Sequence, residues 1–277
     1  MTILPLLFSI LMTANPQIES RLEQVGPVPV NGELTRSIGQ TRAVILVHGY
    51  YFHLRESHVP RAALRPWQKP GCTLVKTLQK EADVFSFGYG QNASLEDVVK
   101  FGGFGDEVAR VKQLGYREII LLGHSAGGLI ARQFVEDNPD CGVTRVVQVC
   151  TPNGGTPTAK AKVHASQQVF VDSLTEEARQ KCLKDRAGKR IPDKVEFVCV
   201  LGYLEGMKET DGVVPCACQW SVDLQKQCIP VVPLSVSHHE STRTEKAAKA
   251  LAKLVREKQP RWQTSQVEQC CKQLFKK

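Results

Sequence analysis

The sequence contains no apolar run long enough to cross a membrane, no internal repeat and no low-complexity segment. An apolar stretch at residues 1–12 is shorter than the roughly 20 residues that a membrane-spanning helix needs. The stretch carries no Lys or Arg at its start and no A-x-A cleavage site follows it, although both are typical of secretory signals. We therefore expect a cytoplasmic location, with secretion or export to the periplasm as the alternative.

Motifs that bind metals or phosphates are also missing. The ten cysteines form no CxxC repeat and no histidine ladder follows them, so the sequence predicts neither a zinc site nor a compact disulfide framework. His53 and His58 stand five apart without a nearby Cys or pair of carboxylates, which is typical of surface or packing residues. The glycine-rich residues 101–105 are not followed by Lys-Ser or Lys-Thr and are therefore not a phosphate loop. We expect no metal and no cofactor.

The formal net charge of +8 is concentrated at the C-terminus. Residues 243–277 hold ten basic and three acidic residues, whereas the first 242 hold 26 basic and 25 acidic ones. The basic residues are not interleaved with a base-stacking platform, so we do not expect nucleic-acid binding. Residues 245–258 combine an apolar stripe with a basic face. This pattern predicts a last helix packed on the core, with weak contact to a membrane surface as the alternative.

Short apolar runs alternate with longer amphipathic stretches from residue 42 onward. The runs are apolar on successive residues, as in parallel strands buried on both faces. Predicted strands lie at residues 43–47, 82–87, 118–122, 143–150, 194–201 and 229–236, and predicted helices at 72–81, 95–114, 125–136, 169–183 and 245–258. This order predicts an α/β fold with a mainly parallel, doubly wound sheet flanked by helices. We expect one domain over residues 1–277, with a core at about 40–258, a small helical cap insertion at about 156–193 and a basic C-terminal extension at about 259–277.

A turn of sequence Gly-His-Ser-Ala-Gly, residues 123–127, stands between a predicted strand and a predicted helix. A serine on such a turn is held in a strained conformation with its hydroxyl projecting. The glycines two positions before and after Ser125 let the strand and helix backbones approach closely. The pattern therefore predicts that Ser125 is a nucleophile.

A serine hydroxyl needs a base to take its proton and an acid to orient that base. Asp211 and the pair His238-His239 follow two later strands, so all three fall at the same sheet edge as the serine. We predict Asp211 as the acid and His238 as the base, with His239 as the alternate base. Other carboxylates that compete by residue type are Asp172, Asp185 and Asp193. The chain order of serine, acid and histidine matches one known convergent arrangement.

These motifs resemble those of α/β-hydrolases of the lipase and esterase type over about residues 40–258. The resemblance rests on His48-Gly49, the Gly-His-Ser-Ala-Gly-Gly turn, and the segments at 151–157, 211–215 and 237–239. It implies an oxyanion hole made by the backbone N–H groups of Tyr50 and Ala126. It also implies hydrolysis of a small-molecule or lipid carboxylic ester through an acyl-enzyme. Thioester hydrolysis, amide hydrolysis and acyl transfer use the same residues, and a catalytically silent lipid- or protein-binding scaffold is the alternative from another class.

Several aromatic side chains are candidates for the substrate pocket. They come from the long loop after the first predicted strand, from the serine turn and from the insertion: Tyr51, Phe52, Trp67, His124 and Phe170. Apolar walls of this kind favour an acyl group as the substrate. The alternative is that these side chains only anchor their own loops.

Overall fold

The computed structural model describes residues 17–27, 33–207 and 209–275. The apolar stretch at residues 1–12 lies outside them. Among the described residues, none of the helices has the length and apolar character that crossing a membrane requires.

A seven-stranded sheet forms the centre of the molecule, in the strand order β1-β3-β2-β4-β5-β6-β7. Every neighbouring pair is parallel except β1, which runs antiparallel to β3 at one edge. The strands are β1 (Ser20–Gly26), β2 (Arg42–Val47), β3 (Asp83–Tyr89), β4 (Glu118–His124), β5 (Arg145–Val149), β6 (Glu196–Tyr203) and β7 (Val231–Ser235). The predicted mainly parallel sheet is confirmed.

Helices cover both faces of the sheet. They are α1 (Thr73–Leu78), α2 (Leu95–Phe101), α3 (Phe104–Gln113), α4 (Ala126–Asp137), α5 (Ala165–Asp172), α6 (Glu176–Asp185), α7 (Cys216–Gln219), α8 (Val222–Lys226), α9 (Glu245–Arg256) and α10 (Thr264–Leu274). Alternate residues of β2 point to opposite sides, so Ile45 joins the core under α2, α3 and α4 while Leu46 joins the core under α1 and α9. Successive apolar residues are thereby all buried, which explains the unbroken apolar runs in the sequence.

Two helices predicted as continuous are each divided in two. The stretch predicted at 95–114 breaks between α2 and α3, because Gly103 adopts φ +68°, a left-handed conformation that ends one helix and begins the next. The stretch predicted at 169–183 breaks between α5 and α6, where Thr175 caps α6 by accepting a hydrogen bond from the N–H of Ala178. The edge strand β1 was not predicted.

The C-terminal segment packs on the rest of the chain. On α9 the apolar stripe is buried and Lys246, Lys249 and Lys253 are exposed. Beyond it, the ring of Trp262 lies 6.1 Å from that of the fully buried Trp220. The ring of Phe275, just after α10, stacks on the same tryptophan at 6.3 Å, so these residues extend the core.

Candidate active site

Ser125 lies on the tight turn that joins β4 to α4. Its backbone has φ 55° and ψ −129°, a conformation that non-glycine residues rarely adopt. Its N–H donates a hydrogen bond to the carbonyl oxygen of Val149 on the neighbouring strand β5. The serine is therefore held at the carboxyl edge of the sheet, where open α/β sheets build their sites.

Glycines make this turn sterically feasible. A Cβ atom on Gly123 would lie 2.5 Å from the carbonyl oxygen of Gly127 and 2.6 Å from the Cα of Gly128. A Cβ atom on Gly127 would collide with the carbonyl oxygens of Val47 and His48 at the end of β2. Strand and helix therefore approach at distances that only glycine permits at these two positions.

The loop after β2 lies directly against the serine turn. A Cβ atom on Gly49 would be 2.5 Å from Ser125 Cβ and 3.0 Å from the backbone nitrogen of Ala126. The N–H of Tyr50, the next residue, donates no hydrogen bond within the described part of the chain. The N–H of Ala126 has no intrahelical acceptor because Ala126 is the first residue of α4. Within the described residues, two N–H donors without a protein acceptor thus stand on adjoining segments beside Ser125.

Asp211 and His238 form a buried hydrogen-bonded pair. The ring Nδ1–H of His238 donates to Asp211 Oδ2 at 2.8 Å, and the backbone N–H of His238 donates to the Asp211 carbonyl oxygen at 2.9 Å. The other carboxylate oxygen, Oδ1, accepts from the N–H groups of Val213 and Val214 at 2.9 and 2.7 Å. Burial alone would raise the pKa of Asp211, but His238 and these two N–H groups hold the pKa below its ordinary value. The carboxylate is therefore ionised at neutral pH.

His238 and His239 occupy different environments. His238 is buried, whereas His239 is exposed and contacts the His238 ring edge-on at 5.9 Å. The competing carboxylates Asp172, Asp185 and Asp193 are likewise exposed. Of these carboxylates, only Asp211 forms a hydrogen bond with a histidine, as far as the described residues go.

His124 links the serine turn to the loop that carries His238. Its Nε2–H donates to the carbonyl oxygen of His238 at 3.0 Å, and the two rings lie 4.7 Å apart. Burial, together with the electrostatic effect of the neighbouring His238, lowers the pKa of His124 to about 3, so the His124 ring is neutral. Within the described residues no hydrogen bond joins the Ser125 hydroxyl to His238. In ligand-free sites such bonds are often long and tighten when substrate binds.

The remaining pocket candidates divide between surface and interior. Tyr51 and Phe52 are 47% and 49% exposed. Trp67 is buried with its ring 5.9 Å from that of His124, and Phe170 is fully buried with its ring 6.0 Å from that of Tyr89. The half-exposed Tyr51 and Phe52 therefore belong to the loop that carries Tyr50, while Trp67 and Phe170 belong to the core.

Cys150 lies beside the Asp211–His238 pair, although its sequence context does not indicate a place in the site. Its Sγ, the Asp211 carboxylate and a ring nitrogen of His238 lie within 4.8 Å of one another. A metal would require the thiolate, but burial and the charge of Asp211 raise the pKa of the Cys150 thiol well above its ordinary value. The cluster is better described as a protonated thiol packed beside the Asp211–His238 pair.

A cavity of about 360 Å³ lies elsewhere, between α4, α6 and α8. Arg132, which lines it, donates hydrogen bonds to Glu136 and Asn153 at 2.8 and 3.1 Å and pairs with Asp223. Because carboxylates neutralise this arginine, we assign Arg132 a structural role.

Two further side chains at the site carry no signal in the sequence. Gln91 and Gln167 are both fully buried and form hydrogen bonds with the backbone on either side of Tyr50. Neither belongs to a motif, and they lie about 40 and 116 positions from their partners in the chain. Only the three-dimensional arrangement identifies them.

No protein-family model matches the chain, and no curated protein sequence is significantly similar to it. Solved structures are similar. A lipase of Bacillus licheniformis in its mature form superposes with a TM-score of 0.63 and 13% identity, over 85% of this chain and 97% of that one. A monoacylglycerol lipase of Paleococcus ferrophilus gives a TM-score of 0.51 and 14% identity, over 86% of this chain and 98% of that one.

A phospholipase of Legionella pneumophila superposes with a TM-score of 0.55 and 14% identity, over 85% of this chain and 62% of that one. At such identities the similarity concerns the fold. Taken with the seven-stranded, mostly parallel sheet and the helices on both of its faces, these similarities establish that the chain has the α/β-hydrolase fold, as its motifs predict.

Proposed function

We propose that this protein is a serine hydrolase that cleaves carboxylic esters through an acyl-enzyme. The observation that carries the proposal is the buried hydrogen bond between His238 Nδ1 and Asp211, tied through His124 to the turn that bears Ser125. The three proteins compared above are a lipase, a monoacylglycerol lipase and a phospholipase, which supports ester hydrolysis as the reaction class.

In the acylation half of this mechanism, Ser125 Oγ attacks the ester carbonyl carbon. Because His238 Nδ1–H is bonded to Asp211, the ring accepts the serine proton at Nε2. The carbonyl oxygen becomes an oxyanion that accepts hydrogen bonds from the N–H groups of Tyr50 and Ala126. The intermediate then collapses, the bond to the leaving alcohol breaks, and His238 returns the proton to the leaving oxygen.

Deacylation repeats these steps with water. His238 takes a proton from the water while the water oxygen attacks the acyl carbon, and the same two N–H groups stabilise the second oxyanion. Collapse releases the carboxylic acid and returns the proton to Ser125 Oγ. Asp211 remains ionised throughout and stabilises the imidazolium that forms in each half-reaction.

The substrate that we propose is a small-molecule or lipid ester with an apolar acyl group. Support comes from Tyr51 and Phe52, whose half-exposed rings stand next to Tyr50. Aromatic side chains of this kind contact acyl chains through apolar surface. We expect turnover of p-nitrophenyl esters to increase from the acetate to longer acyl chains, and matched thioester and amide substrates to be cleaved more slowly than the ester.

Labelling with a fluorophosphonate probe tests the proposal. We expect the probe to modify the wild type and not Ser125→Ala. The matched control is Ser221→Ala, because Ser221 is also buried but lies at the start of α8, where its hydroxyl donates to Asp223. An unlabelled wild type, or equal labelling of Ser125→Ala, would exclude a serine hydrolase and favour a silent binding scaffold.

A further inference from the structure

The direction of the Tyr50 N–H is set by its peptide partner. The peptide between Gly49 and Tyr50 is planar and trans, so the N–H of Tyr50 and the C=O of Gly49 point in opposite directions. The carbonyl oxygen of Gly49 accepts two hydrogen bonds, from His48 Nδ1–H at 2.8 Å and from Gln91 Nε2–H at 3.0 Å. The donors that hold the Gly49 carbonyl therefore also fix the direction of the Tyr50 N–H, which belongs to the same rigid peptide group.

The backbone of Tyr51 is held by Gln91 and by a second side chain, Gln167. Gln91 Oε1 accepts from the N–H of Tyr51 at 3.2 Å. Gln167 Nε2 donates both to the Tyr51 carbonyl oxygen at 2.7 Å and to Gln91 Oε1 at 2.8 Å. The two glutamines thus bond the backbone before and after Tyr50, and each other.

Both glutamines are firmly placed. They are fully buried, and their backbone N–H groups donate to the carbonyl oxygens of Val59 and His164, respectively. The amide orientation of Gln91 is fixed by its partners, because Oε1 faces two N–H donors and Nε2 faces a carbonyl oxygen. Gln91 follows β3 and Gln167 lies on α5, so the sheet and the helical insertion support the loop jointly.

We infer that Gln91 is a positioning residue for the oxyanion hole, supported by Gln167, and that it acts on catalysis through the Tyr50 N–H. The inference rests on the proposed function. The Gln91 side chain does not touch the reacting atoms. Its contribution is to keep one donor aimed before substrate arrives, and donors that need no reorganisation during the reaction stabilise the developing oxyanion most effectively.

This role predicts a specific kinetic signature. Complete loss of one oxyanion donor lowers kcat about 10²- to 10³-fold. Gln91→Leu loosens the donor without removing it, so we expect kcat to fall about 10- to 100-fold with KM nearly unchanged. Binding of an alkyl trifluoromethyl ketone, which forms a hemiketal oxyanion on the serine, should weaken by a similar factor.

Two other variants separate the contributions of the hydrogen bonds that Gln91 and Gln167 make to the backbone of Gly49 and Tyr51. Gln91→Glu keeps the acceptor for Tyr51 N–H but, when ionised, has no donor for Gly49 O, so kcat should fall as it does in Gln91→Leu. Gln167→Leu removes the second support while Gln91 still holds Gly49 O, so the loss in kcat should be smaller. These variants keep the inference testable if Gln91→Leu does not fold.

Gln68→Leu is the matched control. Gln68 is also fully buried and its Nε2 donates to two backbone carbonyls, those of Leu46 and Phe87, which lie in β2 and β3 outside the Tyr50 loop. The Gln68→Leu substitution should lower the melting temperature while kcat stays near the wild-type value. If the wild type is labelled and active but the Gln91 variants keep the kcat of Gln68→Leu, the inference is overturned. If the wild type shows neither labelling nor turnover, the proposed function fails and this inference fails with it.

Discussion

His124 donates a hydrogen bond from Nε2 to the carbonyl oxygen of His238, 114 positions later in the chain. The residue that precedes Ser125 therefore holds the backbone of the proposed base. A second donor, Ser241 Oγ, reaches the same carbonyl oxygen at 2.7 Å. The His124 side chain consequently fixes the loop after β7 to the serine turn, and this link does not depend on a bond between the serine and the imidazole.

Replacing His124 with Phe tests this link. The variant keeps an aromatic ring near Trp67 but lacks the N–H donor, and one neutral hydrogen bond contributes roughly 1 kcal/mol. We expect kcat to fall about fivefold while fluorophosphonate labelling of Ser125 is retained but slower. Ser241→Ala should have an effect of similar size, and wild-type kinetics in both variants would show that this carbonyl does not position the base.

His238→Ala and His239→Ala distinguish the two candidates for the base. His238 is bonded to Asp211 and buried, whereas His239 is exposed. Loss of the base should reduce kcat at least about a thousandfold, so we expect that loss for His238→Ala and a rate close to wild type for His239→Ala. Steady-state hydrolysis of a p-nitrophenyl ester measures both, and the reverse result would assign the base to His239.

Gly49→Ala should disable the site by steric collision. The added methyl group would lie 2.5 Å from Ser125 Cβ and 2.8 Å from the carbonyl oxygen of His124, so the Tyr50 loop or the serine turn must shift. We expect loss of most esterase activity and of probe labelling. Gly188→Ala is the control, since no atom lies within 4 Å of a Cβ added there. Full activity of Gly49→Ala would contradict the close approach of the two segments.

Acid should destabilise the fold through buried neutral histidines. Burial and the charge of Arg65 lower the pKa of His53 to about 4, and the pKa of His124 is about 3, against an ordinary value of 6.5. Below pH 6.5 the unfolded chain binds protons that the native chain does not, so the free energy of unfolding falls as the pH drops towards these values.

Melting temperatures at pH 7 and pH 5 measure this effect. The fall in melting temperature should be smaller in His53→Gln than in the wild type, because one of the shifted groups is gone. An identical pH dependence in His53→Gln would show that protonation of His53 is not linked to unfolding.

Sequence patterns were informative where the structure depends on local geometry. The turn at Ser125 can be predicted because glycines must stand two positions before and after the serine. Strand β2 can be predicted because burial of both faces requires an unbroken apolar run. The antiparallel edge strand β1 was missed, since it lies outside the βα alternation and is only partly buried, so its sequence has no unbroken apolar run. The break at Gly103 depends on one left-handed residue, which an otherwise helical pattern conceals.

Long-range side-chain contacts set the limit of what the sequence reveals about the site. Ser125, Asp211 and His238 were selected by residue type and by their place after strands. The contribution of Gln91 depends on where its amide meets the backbone of Gly49 and Tyr51, some 40 positions earlier. The proximity of Cys150 to Asp211 likewise depends on the path of the loop after β6, and an isolated Cys in an apolar run does not indicate it.

The backbone conformation of Ser125 implies a conflict between thermostability and chemistry. A non-glycine residue at φ 55°, ψ −129° costs on the order of 1–3 kcal/mol, which is a large fraction of the stability of an ordinary domain. Ser125→Gly would relieve this strain, so the variant that lacks the proposed nucleophile should melt at a higher temperature than the wild type. Selecting this protein for heat resistance alone would therefore favour loss of the residue on which we propose its activity depends.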